Sequence, residues 1–402
     1  MKILLVNDYA TPVGGVEILI LMLRDRLRER GYEVHVFASS AQSGEEESFA
    51  DYECFGTTSR FRTLLQTANP WAYWRLRRVL ASFQPEVVHV LLHLTQLSPL
   101  ILPLLRNVPS VYHAQWYRAI CPLGTKMLPD GQTCHVPLGT VCYHTHCLPL
   151  RDWVPLMVQM HLWRQWRHAF NRVVAVSTVV QRRLIADGIA PVDVIRNGIP
   201  MQRLRPPLAS PPTAAFAGRF VREKGIDVLL RAFARVVAAI PEARLVLVGD
   251  GPERVPLRRL IADLGLSTQV SMVGHLPHQE LEQYLAKAWV QLMPSHWAEP
   301  FGLIAAEAMM RGTAVIVSDT GGLAELVQDG DTGFLVPPGD SEALATRLLQ
   351  VLHSRDLAEH IGQAGRTMAL ACLSERTVVD RFVEVYQQLI EQKDIQGKGN
   401  AT

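Results

Sequence analysis

Two glutamates with the spacing of a binding site lie in the segment HWAEPFGLIAAEAMMRG, residues 296–312 of this 402-residue chain. Glu299 precedes Pro300 and Gly302, and Glu307 follows inside an apolar, alanine-rich run. Because proline is favoured in the first turn of a helix, the sequence predicts a helix that begins near Pro300. With a rise of about 1.5 Å per residue, the two carboxylates would lie about 12 Å apart, so that one acid could bind a sugar and the other a ribose.

The start of that helix is also predicted to bind an anion. Backbone amides in a first helical turn have no intrahelical partner, and glycine permits a ligand to approach closely. The amides of Phe301, Gly302 and Leu303 are therefore expected to face a diphosphate. The alternative is a helix N-terminus that simply favours acids, which accounts for Glu299 but not for Glu307.

Two glycine-containing loops carry further candidate residues. In AGRFVREKGID, Arg219 and Lys224 are expected to converge on one anion, since paired cations at a helix start suit a pyrophosphate. A solvated charged turn is the alternative. Before the first helical pattern, Gly14 and Gly15 of PVGGVE would bring the backbone close to a ligand, although a plain tight turn fits the same residues.

Composition indicates a folded globular protein of two domains. Hydrophobic residues make up 48% of the chain and the net charge is only +2, which gives no case for bulk nucleic-acid binding. The start, MKILLVNDY, lacks the layout of a signal peptide, and the most apolar stretch (89–112) is interrupted by His93, by prolines and by Arg106. We therefore expect a cytoplasmic protein without a transmembrane helix, in which most of the six cysteines are reduced.

Short apolar runs alternate with longer helical patterns, which predicts an α/β fold of two doubly wound, Rossmann-like domains with an interdomain cleft. The proline-rich segment 197–212 is predicted to link them, and the tail beyond residue 392 is expected to be frayed. The predicted strands are 2–7, 32–38, 86–92, 110–113, 172–177, 213–219, 243–251, 270–275, 290–294, 313–319 and 333–337.

Motifs in a fixed order resemble the family 4 retaining glycosyltransferases (glycosyl transferases group 1), which have the GT-B fold. The resemblance covers nearly the whole chain, and EPFG followed by a glutamate is highly specific in this context. The motifs are GGVE near the start, NGI at 197–199, GRFVREKGID, LVLVGDGPE at 245–253, VGHLPHQEL at 273–281, EPFGLIAAEAMMRGTAVIVSDTGGLAELV at 299–327 and DGDTGFLVPPGD at 329–340.

The resemblance implies a retaining, metal-independent hexosyltransferase that uses a nucleotide diphosphate-sugar as donor and has no catalytic cofactor. Its N-terminal domain (1–200) would bind the acceptor and its C-terminal domain (213–373) the donor, with a helix over 374–392 packing back toward the N-terminal domain. The leaving phosphate would itself help to deprotonate the acceptor, so no protein base is essential. A lipid-linked, polysaccharide or other glycan of the cell envelope would be the acceptor.

The same resemblance implies roles for individual residues. Arg219 and Lys224 would bind the diphosphate and stabilise the charge that develops on it. Glu299 would hold the sugar, and Glu307 the ribose hydroxyls. The other implied contacts are the amides of Phe301, Gly302 and Leu303 to sugar and phosphate, backbone near Leu276 to the base, Gly14 and Gly15 to the phosphates, and His113 to the transferred sugar.

One position departs from the family's pattern on the acceptor side. Relatives usually have an aspartate directly after the active-site histidine, whereas His113 is followed here by Ala114 in the sequence HAQW. The resemblance of the fold is unaffected, since the departure concerns a single residue at the end of one predicted strand. The side of the site that meets the acceptor is therefore expected to differ from that of the relatives.

Two segments bear on metal binding. Asp329-Gly330-Asp331 has the form of a metal-binding DxD motif, but its Gly/Asp chemistry before GFLVP predicts a turn, and we expect no catalytic metal. Four thiols in one segment suggest a structural zinc site. Unligated thiols or a disulfide are the alternatives, because the spacing is not that of a standard zinc finger. The four residues are Cys121, Cys134, Cys142 and Cys147.

Two segments, 59–83 and 153–170, interleave arginine with tryptophan, tyrosine and phenylalanine. Basic aromatic amphipathic helices suit an anionic membrane surface. Helices that pack their aromatic residues inward and leave the arginines solvated are the alternative. Because the resembling family often glycosylates lipids or lipid-linked sugars, we hypothesise peripheral attachment at the cytoplasmic face of a membrane.

The leading interpretation is therefore an enzyme, a retaining glycosyltransferase of the cell envelope. Two alternatives remain open: a catalytically silent nucleotide-sugar-binding subunit, and a nucleotide-sugar epimerase of the same fold. No motif selects the sugar, the nucleotide base or the acceptor.

Overall fold

The structure, a computed structural model, describes residues 1–12, 14–41 and 47–399. The chain divides into two units, each built on one parallel sheet. The first unit contains Met1–Pro129, Cys134–Gly198 and the C-terminal helix that begins at Glu375, and the second contains Asp130–Thr133 and Ile199–Ser374.

Strands and helices alternate along the described chain as the hydrophobic pattern predicts. The strands are β1 (Lys2–Val6), β2 (Glu33–Ser39), β3 (Tyr52–Cys54), β4 (Val87–Val90), β5 (Ser110–Ala114), β6 (Arg172–Ala175), β7 (Val192–Val194), β8 (Thr213–Ala217), β9 (Arg244–Val248), β10 (Val270–Gly274), β11 (Val290–Met293), β12 (Ala314–Ser318) and β13 (Phe334–Val336). The helices are α1 (Gly15–Glu29), α2 (Arg62–Thr67), α3 (Pro70–Phe83), α4 (Val141–His144), α5 (Leu150–Trp166), α6 (Thr178–Ala186), α7 (Ile226–Ala239), α8 (Arg254–Asp263), α9 (His278–Leu285), α10 (Leu303–Arg311), α11 (Leu323–Leu326), α12 (Ser341–His353), α13 (Arg355–Cys372) and α14 (Glu375–Gly399). Short 3-10 helices span Pro99–Leu105, Tyr117–Ala119, Arg167–Ala169 and Arg222–Lys224.

Both sheets are doubly wound, which confirms the predicted fold class. The first has the order β3-β2-β1-β4-β5-β6-β7 and the second β10-β9-β8-β11-β12-β13, and neighbouring strands run parallel. In each sheet the order reverses once, between β1 and β4 and between β8 and β11. Ligands of doubly wound sheets bind at the carboxyl ends of the strands next to such a reversal.

The core of the first unit includes the C-terminal helix. Phe382 and Tyr386 of α14 are buried in one cluster with Ile3 and Leu5 of β1 and with Leu23 of α1. Helix α14 continues to Gly399. The described tail beyond residue 392 is therefore helical, and the expectation of a frayed tail is wrong. No helix among the described residues is long and apolar enough to cross a bilayer.

The segment 59–83 forms two helices where one was expected. The Asn69 side chain accepts a hydrogen bond from the Ala72 amide and so caps α3, with Pro70 in its first position. Asparagine at the cap and proline at the first position are strong start signals, and they outweigh the continuous basic-aromatic pattern. The short strands β3 (YEC) and β7 (VDV), at the two edges of the first sheet, were not predicted because each has an acidic residue at its centre, unlike the equally short but fully apolar β13 (FLV).

Candidate active site

A partly buried ion pair joins two segments at the carboxyl end of the second sheet. Lys224 follows β8 and Glu299 follows β11, the two strands that flank the reversal of strand order. Lys224 Nζ lies 2.8 Å from Glu299 Oε1, and the Ser295 hydroxyl donates a hydrogen bond to the same oxygen. Glu299 is 7% exposed. Two donors thus hold this carboxylate in one orientation.

Close backbone packing holds these loops in place. Gly225, after Lys224, has a φ of +64°, and a Cβ atom there would lie 2.0 Å from the carbonyl oxygen of Pro294. On the other side, the Gly322 amide donates to the carbonyl of Glu299. A Cβ atom at Gly321 would lie 2.4 Å from that carbonyl oxygen. Glycine is therefore required where the neighbouring loops touch Pro294 and Glu299.

Helix α10 begins at Leu303, so the expectation of a start near Pro300 is wrong. Gly302 adopts a left-handed conformation with a φ of +97°, which ends the extended loop and turns the chain into the helix. The distance of about 12 Å derived from a continuous helical rise therefore does not apply. Within the described chain, the amides of Phe301, Gly302 and Leu303 donate no backbone hydrogen bond. Unpaired amides at a helix start form an anion site.

Glu307 lies in the second turn of α10 and is buried. Its Oε2 atom has no hydrogen-bond partner in the structure. Burial raises the pKa of Glu307 to about 7, opposed by the attraction of Arg311 and reinforced by repulsion from Glu282. A buried acceptor without a partner is uncommon and marks a place where a ligand group could bind.

The remaining predicted donor residues lie on neighbouring segments of the second unit. Arg219 is exposed on the loop after β8. Leu276 follows β10 and packs on the same small cluster of apolar residues as Ile304 in the first turn of α10. The structure thus brings Lys224 and Glu299 into direct contact, while convergence of Arg219 with Lys224 stays a prediction.

In the first unit, His113 lies at the end of β5 and is buried. Burial lowers its pKa to about 3, with a smaller opposing effect from a hydrogen bond to the Ile195 backbone. Gln115 Nε2 lies 3.1 Å from both ring nitrogens of His113. The Gln115 and Asn197 side chains also exchange two hydrogen bonds of 3.2 and 2.8 Å. His113 is consequently a neutral imidazole near pH 7, and hydrogen bonds fix its position.

A second polar group of the first unit follows β1. Asp8 accepts backbone hydrogen bonds from Thr95, Gln96 and Leu97, and burial raises its pKa despite them. Asp8 thereby anchors the loop after β4 to the end of β1.

Glu17 supports the start of α1. It accepts a hydrogen bond of 3.2 Å from Asn7 Nδ2, and burial raises its pKa to about 7 against the effects of Asn7 and the Gly14 backbone. Gly14 is extended and caps the helix that begins at Gly15. A glutamate that reaches back from the first turn toward the cap residue is half of a capping box. The glycine pair therefore lies directly before a helix start, as its sequence predicts.

The segments considered for metal binding have other partners. Asp329 accepts from the Leu335 amide at 2.9 Å and pairs with Arg347 at 3.1 Å, closing a turn. All six cysteines are free thiols, and no group of three or more ligands is placed to hold a metal within residues 1–12, 14–41 and 47–399. The zinc hypothesis for Cys121, Cys134, Cys142 and Cys147 is therefore not supported. Two of these thiols contact other groups, the Val136 carbonyl and the Thr145 hydroxyl.

Several residues of these groups escaped the sequence analysis. Asp8 directly follows a predicted strand, so its position at a carboxyl strand end was a usable signal. Ser295 also follows a strand, but a lone serine carries no comparable pattern. The contacts of Gln115 and Arg311 depend on residues distant in sequence, and no local spacing indicates them.

Comparisons with known proteins match the chain over most of its length. The family model described as Glycosyltransferase Family 4 matches residues 13–203, and Glycosyl transferases group 1 matches residues 203–368. Glycogen synthase of Mycobacterium tuberculosis is 30% identical over 288 residues, which are 69% of this chain and 68% of that protein. Phosphatidyl-myo-inositol mannosyltransferase of Mycobacterium leprae is 28% identical over 406 residues, with 96% of both chains covered.

Solved structures share the fold. Sucrose-phosphate synthase from Thermosynechococcus elongatus has a TM-score of 0.74 at 24% identity, covering 98% of this chain and all of that one. Anabaena HepE in complex with UDP has a TM-score of 0.66 at 20% identity, covering 96% and 100%. The fold is that of the GT-B glycosyltransferases. The chain belongs to the family 4 glycosyltransferases, the glycosyl transferases group 1.

Replacing Gly225 by alanine is expected to destabilise the second unit, because the new Cβ atom would meet the Pro294 carbonyl in a backbone conformation that alanine also disfavours. The matched control is Gly265→Ala, since Gly265 has a similar φ of +70° but nothing within 4 Å of a Cβ atom. In urea unfolding, Gly225→Ala should lower the free energy of unfolding by about 1–3 kcal/mol more than Gly265→Ala. Equal losses in the two variants would contradict the packing argument.

Proposed function

We propose that this protein is a retaining, metal-independent hexosyltransferase that moves a sugar from a nucleotide diphosphate-sugar to a lipid-linked or polysaccharide acceptor of the cell envelope. One observation carries the proposal: a paired lysine and glutamate, three unpaired amides and an unpartnered buried carboxylate follow one another along residues 224–307. They occupy the edge of the second sheet where doubly wound folds bind nucleotides.

The proposed donor contacts follow from the charges of that edge. A diphosphate would be held by Lys224, by Arg219 and by the amides of Phe301, Gly302 and Leu303. Glu299 Oε1 already accepts from Lys224 and Ser295, so Oε2 is the oxygen proposed to receive a sugar hydroxyl. Glu307 Oε2 would receive the ribose hydroxyls, which would satisfy its missing hydrogen bonds.

The proposed chemistry needs charge stabilisation more than proton transfer by the protein. Breaking the sugar–phosphate bond leaves negative charge on the diphosphate, and fixed cations and amides stabilise that charge without reorganising. Lys224 and Arg219 would take this role in place of a metal ion. His113, neutral because burial lowers its pKa to about 3, would contact the transferred sugar by hydrogen bonding rather than as a proton carrier.

A lipid-linked acceptor is supported by one relative and one surface. The relative named as phosphatidyl-myo-inositol mannosyltransferase aligns over 96% of both chains. The surface, here called the aromatic–arginine face, combines exposed apolar and cationic side chains of the first unit. Its members are Phe55, Phe61, Leu64, Trp71 and Trp74, with Arg60, Arg62, Arg75, Arg77 and Arg78.

The aromatic–arginine face is suited to an anionic bilayer. Trp71 and Trp74 are each 56% exposed, and between Glu53 and Glu86 the chain has five arginines and no acid. This segment alone thus carries +5 against +2 for the whole chain. Helix α5 packs beside α2 and adds exposed Leu150, Val154 and Val158. We propose peripheral attachment through this face, by insertion of tryptophan and attraction of arginine to anionic lipid.

A nucleotide-sugar of the correct base and sugar should raise the thermal stability of the purified protein, by about 2.7 kcal/mol at 100 times its dissociation constant. A panel of uridine, guanosine and adenosine diphosphate-sugars would identify it. Glu307→Ala should weaken binding of that donor, because the ribose hydroxyls lose their acceptor. Glu242→Ala, which removes an exposed acid of the same unit, should leave binding unchanged. Equal donor affinity in Glu307→Ala and the parent would refute the ribose assignment.

His113→Ala is expected to retain donor binding and to lose turnover by 100-fold or more, on the order of one transition-state contact. Transfer to acceptor and hydrolysis of the donor would be measured separately, beside donor affinity. Turnover should also show no ionisation from His113 above pH 5, since burial lowers its pKa to about 3. Unchanged transfer rates in His113→Ala would contradict the role proposed for His113, whereas absence of transfer by the parent protein would favour the silent subunit or the epimerase, in which no acceptor is glycosylated.

Removing the tryptophans of the aromatic–arginine face, in Trp71→Ser/Trp74→Ser, should reduce sedimentation with vesicles containing about one-third phosphatidylglycerol, because apolar insertion is lost. Arg75→Gln/Arg77→Gln should weaken binding at low salt most strongly. Arg258→Gln/Arg259→Gln, on exposed positions of α8 in the second unit, is the control of equal charge. Equal vesicle binding by the parent protein and all three variants would rule out this face.

A further inference from the structure

Arg311, at the end of α10, is a buried cation with a full set of partners. It is 1% exposed. Its Nε and Nη2 atoms donate to the two carboxylate oxygens of Glu282 on α9 at 2.9 and 2.8 Å, and its Nη1 donates to Gln291 Oε1 on β11 at 3.2 Å. A two-pronged arginine–carboxylate pair fixes both side chains in position. Helices α9 and α10 are therefore joined by a charged clamp with one buried end.

Arg311 lies on the same helix as Glu307, the acid with an oxygen that lacks a partner. Glu307 precedes Arg311 by four positions on α10, so the two side chains share one face of the helix. Glu307 makes no hydrogen bond through Oε2 and is acted on by two charges, attraction from Arg311 and repulsion from Glu282. Arg311 is thus paired with one acid, Glu282, and attracts another, Glu307.

The other elements that pack on α10 bring few charges to Glu307. Strands β11 and β12 contribute no titratable side chain. Helix α13 contributes Arg366, which is bound to the carbonyls of Gln202 and Met310, and α11 contributes Glu325. Neither is among the groups that act on the carboxyl of Glu307. The balance at Glu307 therefore depends on burial, Arg311 and Glu282.

We propose that Arg311 is a positioning residue that favours the ionised form of Glu307 for the ribose hydroxyls and, through Glu282, ties α10 to α9. This inference rests on the proposed function, in which Glu307 binds the ribose. Helix α9 begins at His278, two residues after Leu276, whose backbone is expected beside the base. One buried guanidinium therefore joins the helix that carries Glu307 to the helix that follows the segment expected beside the base.

The proposal predicts that substitutions of Arg311 and of Glu282 shift the pH dependence of donor affinity in opposite directions. An ionised carboxylate accepts hydrogen bonds from both ribose hydroxyls, whereas a protonated one accepts fewer. Donor affinity of the parent should thus fall as pH drops through about 7, by at most about tenfold per unit for a single proton. Arg311→Gln removes the attraction and should move this midpoint to higher pH. Glu282→Gln removes the repulsion and should move it to lower pH.

The experiment measures the dissociation constant of the identified nucleotide-sugar by calorimetry between pH 5.5 and 8.5. A nucleotide-sugar is used because its diphosphate has no terminal phosphate that titrates in this range, unlike a free nucleoside diphosphate. At pH 7, Arg311→Gln should bind several-fold more weakly and recover toward the parent at pH 8.5. Glu282→Gln should lose less affinity than the parent between pH 7 and 6. Glu307→Gln should flatten the pH profile of the dissociation constant.

The outcomes separate this inference from the proposed function. Shifts in opposite directions support the positioning role, since mere structural damage would move both variants the same way. Equal midpoints in the parent, Arg311→Gln and Glu282→Gln overturn it. If Arg311→Gln does not fold, Glu282→Gln, whose acid is 28% exposed, still decides by the direction of its shift. Unchanged affinity in Glu307→Ala would instead reject the ribose assignment itself.

Discussion

The ion pair between Lys224 and Glu299 is the constraint on which the candidate donor site depends. Its two members follow β8 and β11, the strands between which the order of the second sheet reverses. A buried carboxylate is stable only if its charge is matched, and here Lys224 and the Ser295 hydroxyl match it. The loop between Glu299 and α10 is thereby held in one conformation. In the described chain, the amides of Phe301, Gly302 and Leu303 donate no backbone hydrogen bond.

Backbone contacts without side chains make that arrangement possible. The loops around Gly225, Gly321 and Gly322 approach the carbonyls of Pro294, Glu299 and Pro300 more closely than a Cβ atom would permit. Such contacts are rigid because they involve backbone alone, and preorganised groups stabilise developing charge best. The glycines of the segments REKG (222–225) and SDTGG (318–322) therefore serve the geometry of neighbouring loops as much as their own turns.

The fold was predictable from the sequence because its signals are local. Apolar runs such as those of β1, β5 and β12 are continuous, as strands buried on both faces require. The order of glycine, proline and glutamate around Glu299 likewise indicated an anion site. The start of α10 was misplaced because Pro300 is a helix-start signal, whereas Gly302 in a left-handed conformation overrides it. In the segment 59–83, by contrast, a start signal prevails: Asn69 caps α3 and divides the segment into two helices despite its continuous basic-aromatic pattern.

What the sequence could not indicate are contacts between residues far apart in the chain. Arg311 reads locally as a basic residue in the last turn of a helix, a common and solvent-exposed choice. Arg311 is buried because it pairs with Glu282 and Gln291, which are 29 and 20 positions away in the sequence. No local sequence pattern indicates that these residues are in contact.

The same limit applies to Gln115 and Asn197, which are 82 positions apart and meet beside His113. Buried polar groups of this chain differ in how far they are satisfied. Around His113 the amides of Gln115 and Asn197 bind each other, and around Asp8 three backbone amides are bound. Glu307 Oε2 stays without a partner, as do buried atoms of the first unit such as Asn7 Oδ1 and Gln96 Nε2. What distinguishes Glu307 is its place on α10, one turn after the amides of Phe301, Gly302 and Leu303 that donate no backbone hydrogen bond.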